Sequence, residues 1–120
     1  MGLALGSILG GFSRYFMAGW VYRLVGTDFP YGTFVVNLSG CFLIGLFSSL
    51  SEIRFLIGPD TRLFLMTGFC GAYTTFSTLI LETANLAQDG EMLRAFVNFV
   101  ASGVFGLIVF KLGSYLGSVV

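Results

Sequence analysis

Four long apolar segments, separated by short polar connections, make up the chain. They are Gly2 to Val25, Thr33 to Leu50, Leu63 to Ala87, and Ala95 to Val120. A helix that crosses a membrane needs about 20 mostly apolar residues, and the connections contain the Gly, Pro and Asp residues that interrupt helices. The pattern therefore predicts an all-α membrane protein in which residues 1–120 form a single domain of four transmembrane helices.

Composition agrees with this pattern and excludes several classes of protein. Hydrophobic residues make up 56% of the chain and charged residues 10%, against about 45–50% and about 25% in an average globular domain. A small soluble domain cannot bury so much apolar surface, which excludes an ordinary soluble enzyme. The net charge of zero excludes a nucleic-acid binder, since such a protein needs a basic surface. The lipid membrane is the expected environment.

Metal chemistry based on histidine or cysteine is also excluded. The chain has no histidine, and its two cysteines, Cys41 and Cys70, lie in apolar segments without the spacing of a zinc site. Two buried thiols are the simplest interpretation, and a disulfide between them remains open.

The basic residues give almost no preference for one orientation in the membrane. Arg54 and Arg62, with Lys111 if it reaches the surface, lie on one predicted side, and Arg23 and Arg94 lie on the other. Because basic loops normally face the cytoplasm, this balance permits both orientations and an antiparallel pair of subunits. The alternative is that so few charges decide nothing.

Glycines are spaced to allow close contact between helices. Two series have a spacing of four residues, namely Gly2, Gly6 and Gly10, and Gly113 and Gly117. Small residues at this spacing let membrane helices approach closely. We expect these glycines to pack helices together, either within one subunit or between subunits.

Three polar side chains in the apolar segments are candidates for binding a small anion. Asn37 lies in the second segment, and Asn98 and Ser102 lie four residues apart on one face of the fourth. Polar groups in hydrocarbon must face protein or water, and amides and hydroxyls are neutral donors. The alternative is hydrogen bonding between helices, which is a common use of such residues.

The run from Thr67 to Thr78, TGFCGAYTTFST, is the most distinctive segment. Its glycines and hydroxyl residues weaken a helix, so it predicts a third helix that is broken in mid-membrane and has free carbonyls for a cation. A continuous helix remains the alternative. Phe76 lies within the run, and the positive edge of its ring can face an anion. Leu79, three residues later, is expected to cover nearly the same helix face.

Three segments together resemble the CrcB/Fluc family of fluoride channels. The run TGFCGAYTTFST resembles the family signature TGFxGgxTTFST, GTFVVNLSG from Gly32 is similar to its GTxxVNxxG element, and GGFSRY from Gly10 is similar to its GGxxR segment. The resemblance covers essentially the whole chain, and the third-segment motif is specific.

This resemblance implies a passive channel that exports fluoride through the plasma membrane and protects the cell from fluoride toxicity. It implies a dual-topology antiparallel homodimer with two pores. It also implies one structural sodium ion (Na⁺) at the centre of the dimer, held by the backbone carbonyls of Gly71 and Thr74.

The resemblance also assigns the fluoride pore to residues of this chain. These are Asn37, Phe76, Asn98, Ser102, Leu79 and Thr33. The path implied by this set has no full charge, so fluoride can be bound weakly enough to leave. Arg14 matches the arginine of the family's first helix, where it would attract anions or pair with Glu82.

The chain departs from the family pattern at two positions, and three alternatives remain. Leu79 stands where the family usually has a second Phe, and Gly106 stands where the polar residues of the fourth helix would continue. One alternative is therefore one subunit of a heterodimeric fluoride channel. Another is a small dual-topology, proton-coupled drug exporter, although such proteins use an acidic residue in the first helix, which here carries Arg14. The third is a structural subunit without transport.

Overall fold

The computed structural model describes residues 1–120 and consists of helices and short connections, without strands. The predicted all-α fold is therefore confirmed. In chain order the helices are α1 (Gly2–Val25), α2 (Tyr31–Glu52), α3 (Pro59–Arg62), a π-helix (Leu63–Cys70), α4 (Gly71–Tyr73), α5 (Phe76–Gln88) and α6 (Met92–Val119).

Three helical stretches are long and apolar enough to cross a membrane. They are α2, the stretch Pro59–Gln88 that contains α3 to α5, and α6. Helix α1 has 24 residues but is not among them, because Arg14, Arg23 and its glycines lower its mean hydropathy. The chain is thus a multi-pass membrane protein, and the fourth span, through α1, stays a prediction.

Helices α2 and α6 run parallel and touch at their backbones. A Cβ atom added at Gly113 would overlap the carbonyl oxygen of Phe42, and one added at Gly117 would lie 2.7 Å from that of Leu46. One turn further along, the Ser49 hydroxyl donates to the Ser114 carbonyl at 2.6 Å. Small residues and a buried hydroxyl therefore set how these helices fit together.

Helix α1 packs in the same way against the π-helix. Cβ atoms at Gly6 and Gly10 would overlap the carbonyl oxygens of Phe64 and Phe69. Gly2 makes only ordinary contact with its neighbours. The packing role predicted for the spaced glycines is therefore confirmed within the subunit for Gly6, Gly10, Gly113 and Gly117.

The turns between the helices depend on residues with positive φ. Gly26 (φ 90°) follows α1, and Gly90 (φ 82°) lies between α5 and α6, in a conformation that costs glycine little. After α2, the left-handed residue is Phe55 (φ 55°), which costs roughly 1–2 kcal/mol in an L-residue.

Both cysteines are free thiols. Cys70 is fully buried, and Cys41 is partly buried. The structure therefore favours the interpretation as free thiols over the disulfide that the sequence left open.

We expect Gly113→Ala to destabilise the protein. Its Cβ would overlap the Phe42 carbonyl, and overpacking of this kind typically costs about 1–3 kcal/mol. Gly103→Ala is the matched control in the same helix, because a Cβ there meets nothing within 4 Å. Thermal unfolding of both variants in detergent measures the difference, and equal midpoints would contradict the packing role of Gly113.

Candidate functional site

Helical geometry is interrupted between α4 and α5. Thr74 (φ −86°, ψ 160°) and Thr75 (φ −151°, ψ 119°) have extended backbones, so the helix ends at Tyr73 and resumes at Phe76. Hydroxyl residues offer the backbone hydrogen bonds that compete with the helix. The interruption lies inside the run of residues 67–78 that the sequence indicates.

The side-chain amide of Asn37, from α2, holds the interrupted backbone. Its Nδ2 donates to the Thr75 carbonyl at 3.0 Å, and its Oδ1 accepts from the Thr75 N–H at 2.8 Å. In a continuous helix, that N–H would donate to the carbonyl of Gly71, four residues earlier. Asn37 therefore replaces a helical hydrogen bond, and its second N–H group remains uncommitted.

The side-chain hydroxyl of Thr75 replaces a second helical hydrogen-bond acceptor. Thr75 Oγ1 accepts from the Thr78 N–H at 3.2 Å, which makes Thr75 the N-cap of α5. In a continuous helix this N–H would donate to the Thr74 carbonyl. The carbonyls of Gly71 and Thr74 therefore both lose the donor that a continuous helix gives them, and carbonyl oxygens are ligands for hard cations.

An open cavity of about 720 Å³ lies beside the interruption. Arg14 and Arg23 line it, together with the hydroxyl residues Thr33 and Thr75. The Nε of Arg14 is buried without a hydrogen-bond partner, and neither arginine takes part in an ion pair. Two guanidinium groups without ion pairs therefore lie at this cavity beside hydroxyl groups, and unpaired positive charges of this kind attract anions.

Glu82, in α5, makes no ion pair with Arg14 in this chain, so the structure does not support the pairing that the sequence left open as one role of Arg14. Glu82 Oε2 accepts hydrogen bonds from Thr33 Oγ1 at 3.1 Å and from the Tyr22 hydroxyl at 3.4 Å. Hydroxyls from α2 and α1 take the place of the guanidinium. The second carboxylate oxygen is buried without a partner.

Phe76 and Leu79 both belong to α5, but they lie in different environments. Phe76 is 69% exposed, whereas Leu79 is 8% exposed. Phe76 is the first residue of α5, directly after the interruption, and its ring lies outside the packed subunit. Leu79 lies almost one turn further along, where neighbouring helices cover it.

Asn98 is buried and hydrogen-bonded to α5. It is 1% exposed, and its Nδ2 donates to Thr83 Oγ1 at 3.0 Å. One turn later on α6, Ser102 Oγ is buried without a hydrogen-bond partner. Asn98 thus makes the interhelical contact that the sequence left open, whereas Ser102 has an uncommitted hydroxyl.

Some of the predicted site residues form hydrogen bonds in the structure, and two residues outside the predicted set take part in these bonds. Thr33 contacts Glu82 directly, whereas the Phe76 ring is exposed and not packed within the subunit. Tyr22 and Thr83 lie outside the predicted set. The available signal for Thr83 was a hydroxyl one turn beyond Leu79 in an apolar segment, and nothing in the sequence marked Tyr22.

Known proteins are similar to this chain over nearly its whole length. Residues 1–114 match the family described as "CrcB-like protein, Camphor Resistance (CrcB)". A relative from Methylocella silvestris is 48% identical and covers 92% of this chain and 86% of its own length. Relatives from Acidobacterium capsulatum and Nitrosococcus oceani are 45% and 40% identical, over 97% and 98% of this chain and 93% and 94% of their own lengths. Each relative is named "Fluoride-specific ion channel FluC". The chain therefore belongs to the CrcB family.

Proposed function

We propose that this protein is a passive, fluoride-selective channel that exports fluoride and relieves fluoride toxicity. The observation that carries the proposal is the 40–48% identity, over nearly the whole chain, to relatives named as fluoride-specific channels. The family consists of ion channels, so the protein is not an enzyme.

The buried polar groups suit a small, strongly hydrated anion. Fluoride must exchange its water donors for donors of the protein. The uncommitted donors are the second N–H groups of Asn37 and Asn98 and the hydroxyl of Ser102, and all three are neutral. Arg14 and Arg23, in the open cavity, would raise the fluoride concentration at the entrance without binding fluoride along the path.

Exposure of the Phe76 ring supports a pore that a second subunit completes. A ring that is 69% exposed in the single chain leaves its edge free for an ion or for a partner. We propose an antiparallel homodimer with two pores, in which the positive edge of this ring faces fluoride. Thr33 and Leu79 would line the same path, with Leu79 providing bulk only.

A structural sodium ion fits the interruption of the third segment. The fit rests on Gly71 and Thr74, whose carbonyls lose their helical donors to Asn37 and Thr75. Sodium is a hard cation, so neutral carbonyl oxygens are suitable ligands. The bound ion would supply positive charge that stabilises these carbonyl oxygens. The hydrogen bonds of the interrupted backbone keep the carbonyls free of helical donors.

We expect Phe76→Ile to cut fluoride efflux from proteoliposomes by about tenfold, because isoleucine is apolar but has no ring edge. Phe96→Ile is the control, since Phe96 is similarly exposed, at 65%. Efflux is measured down a fluoride gradient without a proton gradient. Equal efflux from Phe76→Ile and wild type would contradict the role of the ring.

The same assay on wild-type protein separates the rival functions. Fluoride efflux from the purified chain alone supports a homodimeric channel. Exchange of organic cations for protons would support a drug exporter. Absence of flux would favour a heterodimeric channel or a structural subunit.

We expect Asn37→Ala to abolish stabilisation by sodium. Loss of the amide leaves the Thr75 backbone without its partners, which typically costs about 1–3 kcal/mol, and frees its N–H to return to Gly71. The measurement is the unfolding midpoint in sodium against a large organic cation, with Asn85→Ala as control. A sodium-dependent shift that persists in Asn37→Ala would contradict the assignment of the site.

We expect the connection between α2 and α3 to face the outside of the cell in some molecules and the cytoplasm in others. Gly58→Cys is a suitable probe, because a Cβ there meets nothing within 4 Å, in a background where Cys41 and Cys70 are alanine. An impermeant thiol reagent should label about half of the protein in intact cells, as two equally populated orientations require. Permeabilised cells give the full signal, and labelling of all or none in intact cells would exclude dual topology.

A further inference from the structure

Thr83, in α5, connects this helix to α6, which carries Asn98 and Ser102. Its Oγ1 lies 2.7 Å from the Leu79 carbonyl in α5 and 3.0 Å from Nδ2 of Asn98 in α6. We infer that Thr83 is a positioning residue that sets the orientation of the Asn98 amide for anion passage. This inference rests on the proposed function.

The direction of the two hydrogen bonds follows from the chemistry of a hydroxyl group. Thr83 has a single hydroxyl hydrogen, which it donates to the Leu79 carbonyl. Its oxygen is then left to accept from Asn98, so the nitrogen side of the Asn98 amide must face α5. Asn98 is only 1% exposed, so water does not compete for this bond.

The consequence of this orientation is a fixed donor beside Ser102. One N–H of Asn98 is bound by Thr83, and the other has no acceptor among the side-chain contacts of the chain. Ser102 lies four residues later on the same face of α6, and its buried hydroxyl has no partner. Thr83 therefore holds one of two neighbouring donors that an unhydrated anion can use.

Thr83→Val tests the role because valine keeps the shape of threonine but cannot accept a hydrogen bond. The Asn98 amide would then lose its anchor and rotate toward other partners. We expect fluoride efflux to fall by about fivefold to tenfold, the range that one buried hydrogen bond can account for. Thr83→Ser keeps the hydroxyl, so its efflux should remain close to that of wild type. Ser118→Ala is the control, since this hydroxyl, in α6, donates only to a carbonyl of its own helix.

A double-mutant cycle distinguishes positioning from direct contact. If Thr83 acts through Asn98, Thr83→Val should cause no further loss in an Asn98→Ala background. Equal losses in both backgrounds, or wild-type efflux from Thr83→Val, would overturn the inference. If Thr83→Val does not fold, Thr83→Ala takes its place, and failure of both to fold would assign the hydroxyl to folding and contradict the positioning role.

A measurement that does not depend on transport separates this inference from the proposed function. The chain has three asparagines, Asn37, Asn85 and Asn98, so selective ¹⁵N labelling gives three pairs of side-chain amide signals in NMR spectra, one pair for each NH2 group. Thr83→Val should shift and broaden the Asn98 signals alone, and Thr83→Ser should restore them. Unchanged Asn98 signals would overturn the positioning role. Shifted signals without fluoride efflux from wild type would overturn the channel proposal instead.

Discussion

The two hydrogen bonds between the Asn37 amide and the Thr75 backbone are the contact on which the rest of the site depends. An interruption in a helix leaves N–H and C=O groups without their helical partners, and each such group that is buried without a hydrogen bond costs several kcal/mol. Asn37 satisfies one N–H and one C=O of the same residue at 2.8 and 3.0 Å. The amide that α2 brings to the interruption therefore stabilises the extended backbone there.

The position of α2 in turn depends on its backbone contact with α6. Glycines at Gly45 and Gly113 let carbonyls of one helix approach the other closely, and this close fit fixes both the rotation and the height of α2. Polar bonds within a membrane gain little over alternative partners, so the amide alone would not place the helix. Tight packing provides the position, and hydrogen bonding then fixes the path of the backbone.

The charged groups are arranged so that the positive charge stays available. Glu82 is hydrogen-bonded by the hydroxyls of Tyr22 and Thr33 rather than by an arginine. Arg14 and Arg23 consequently remain free of ion pairs beside the open cavity. If an arginine paired with Glu82, the two opposite charges would largely cancel and would attract anions only weakly. An unpaired arginine attracts anions over a distance comparable to the Debye length.

The sequence by itself determined the features that depend on local composition. These are the apolar segments, the helices, the weak point near Thr74 and the family, because helix propensity and motif spacing are properties of neighbouring residues. Only the tertiary structure decided that Asn37 turns toward the backbone, that Leu79 is buried while Phe76 is exposed, and that Thr83 holds Asn98. The helical period fixes angles within one helix, but rotation and height relative to another helix are set by close backbone contacts between residues distant in sequence.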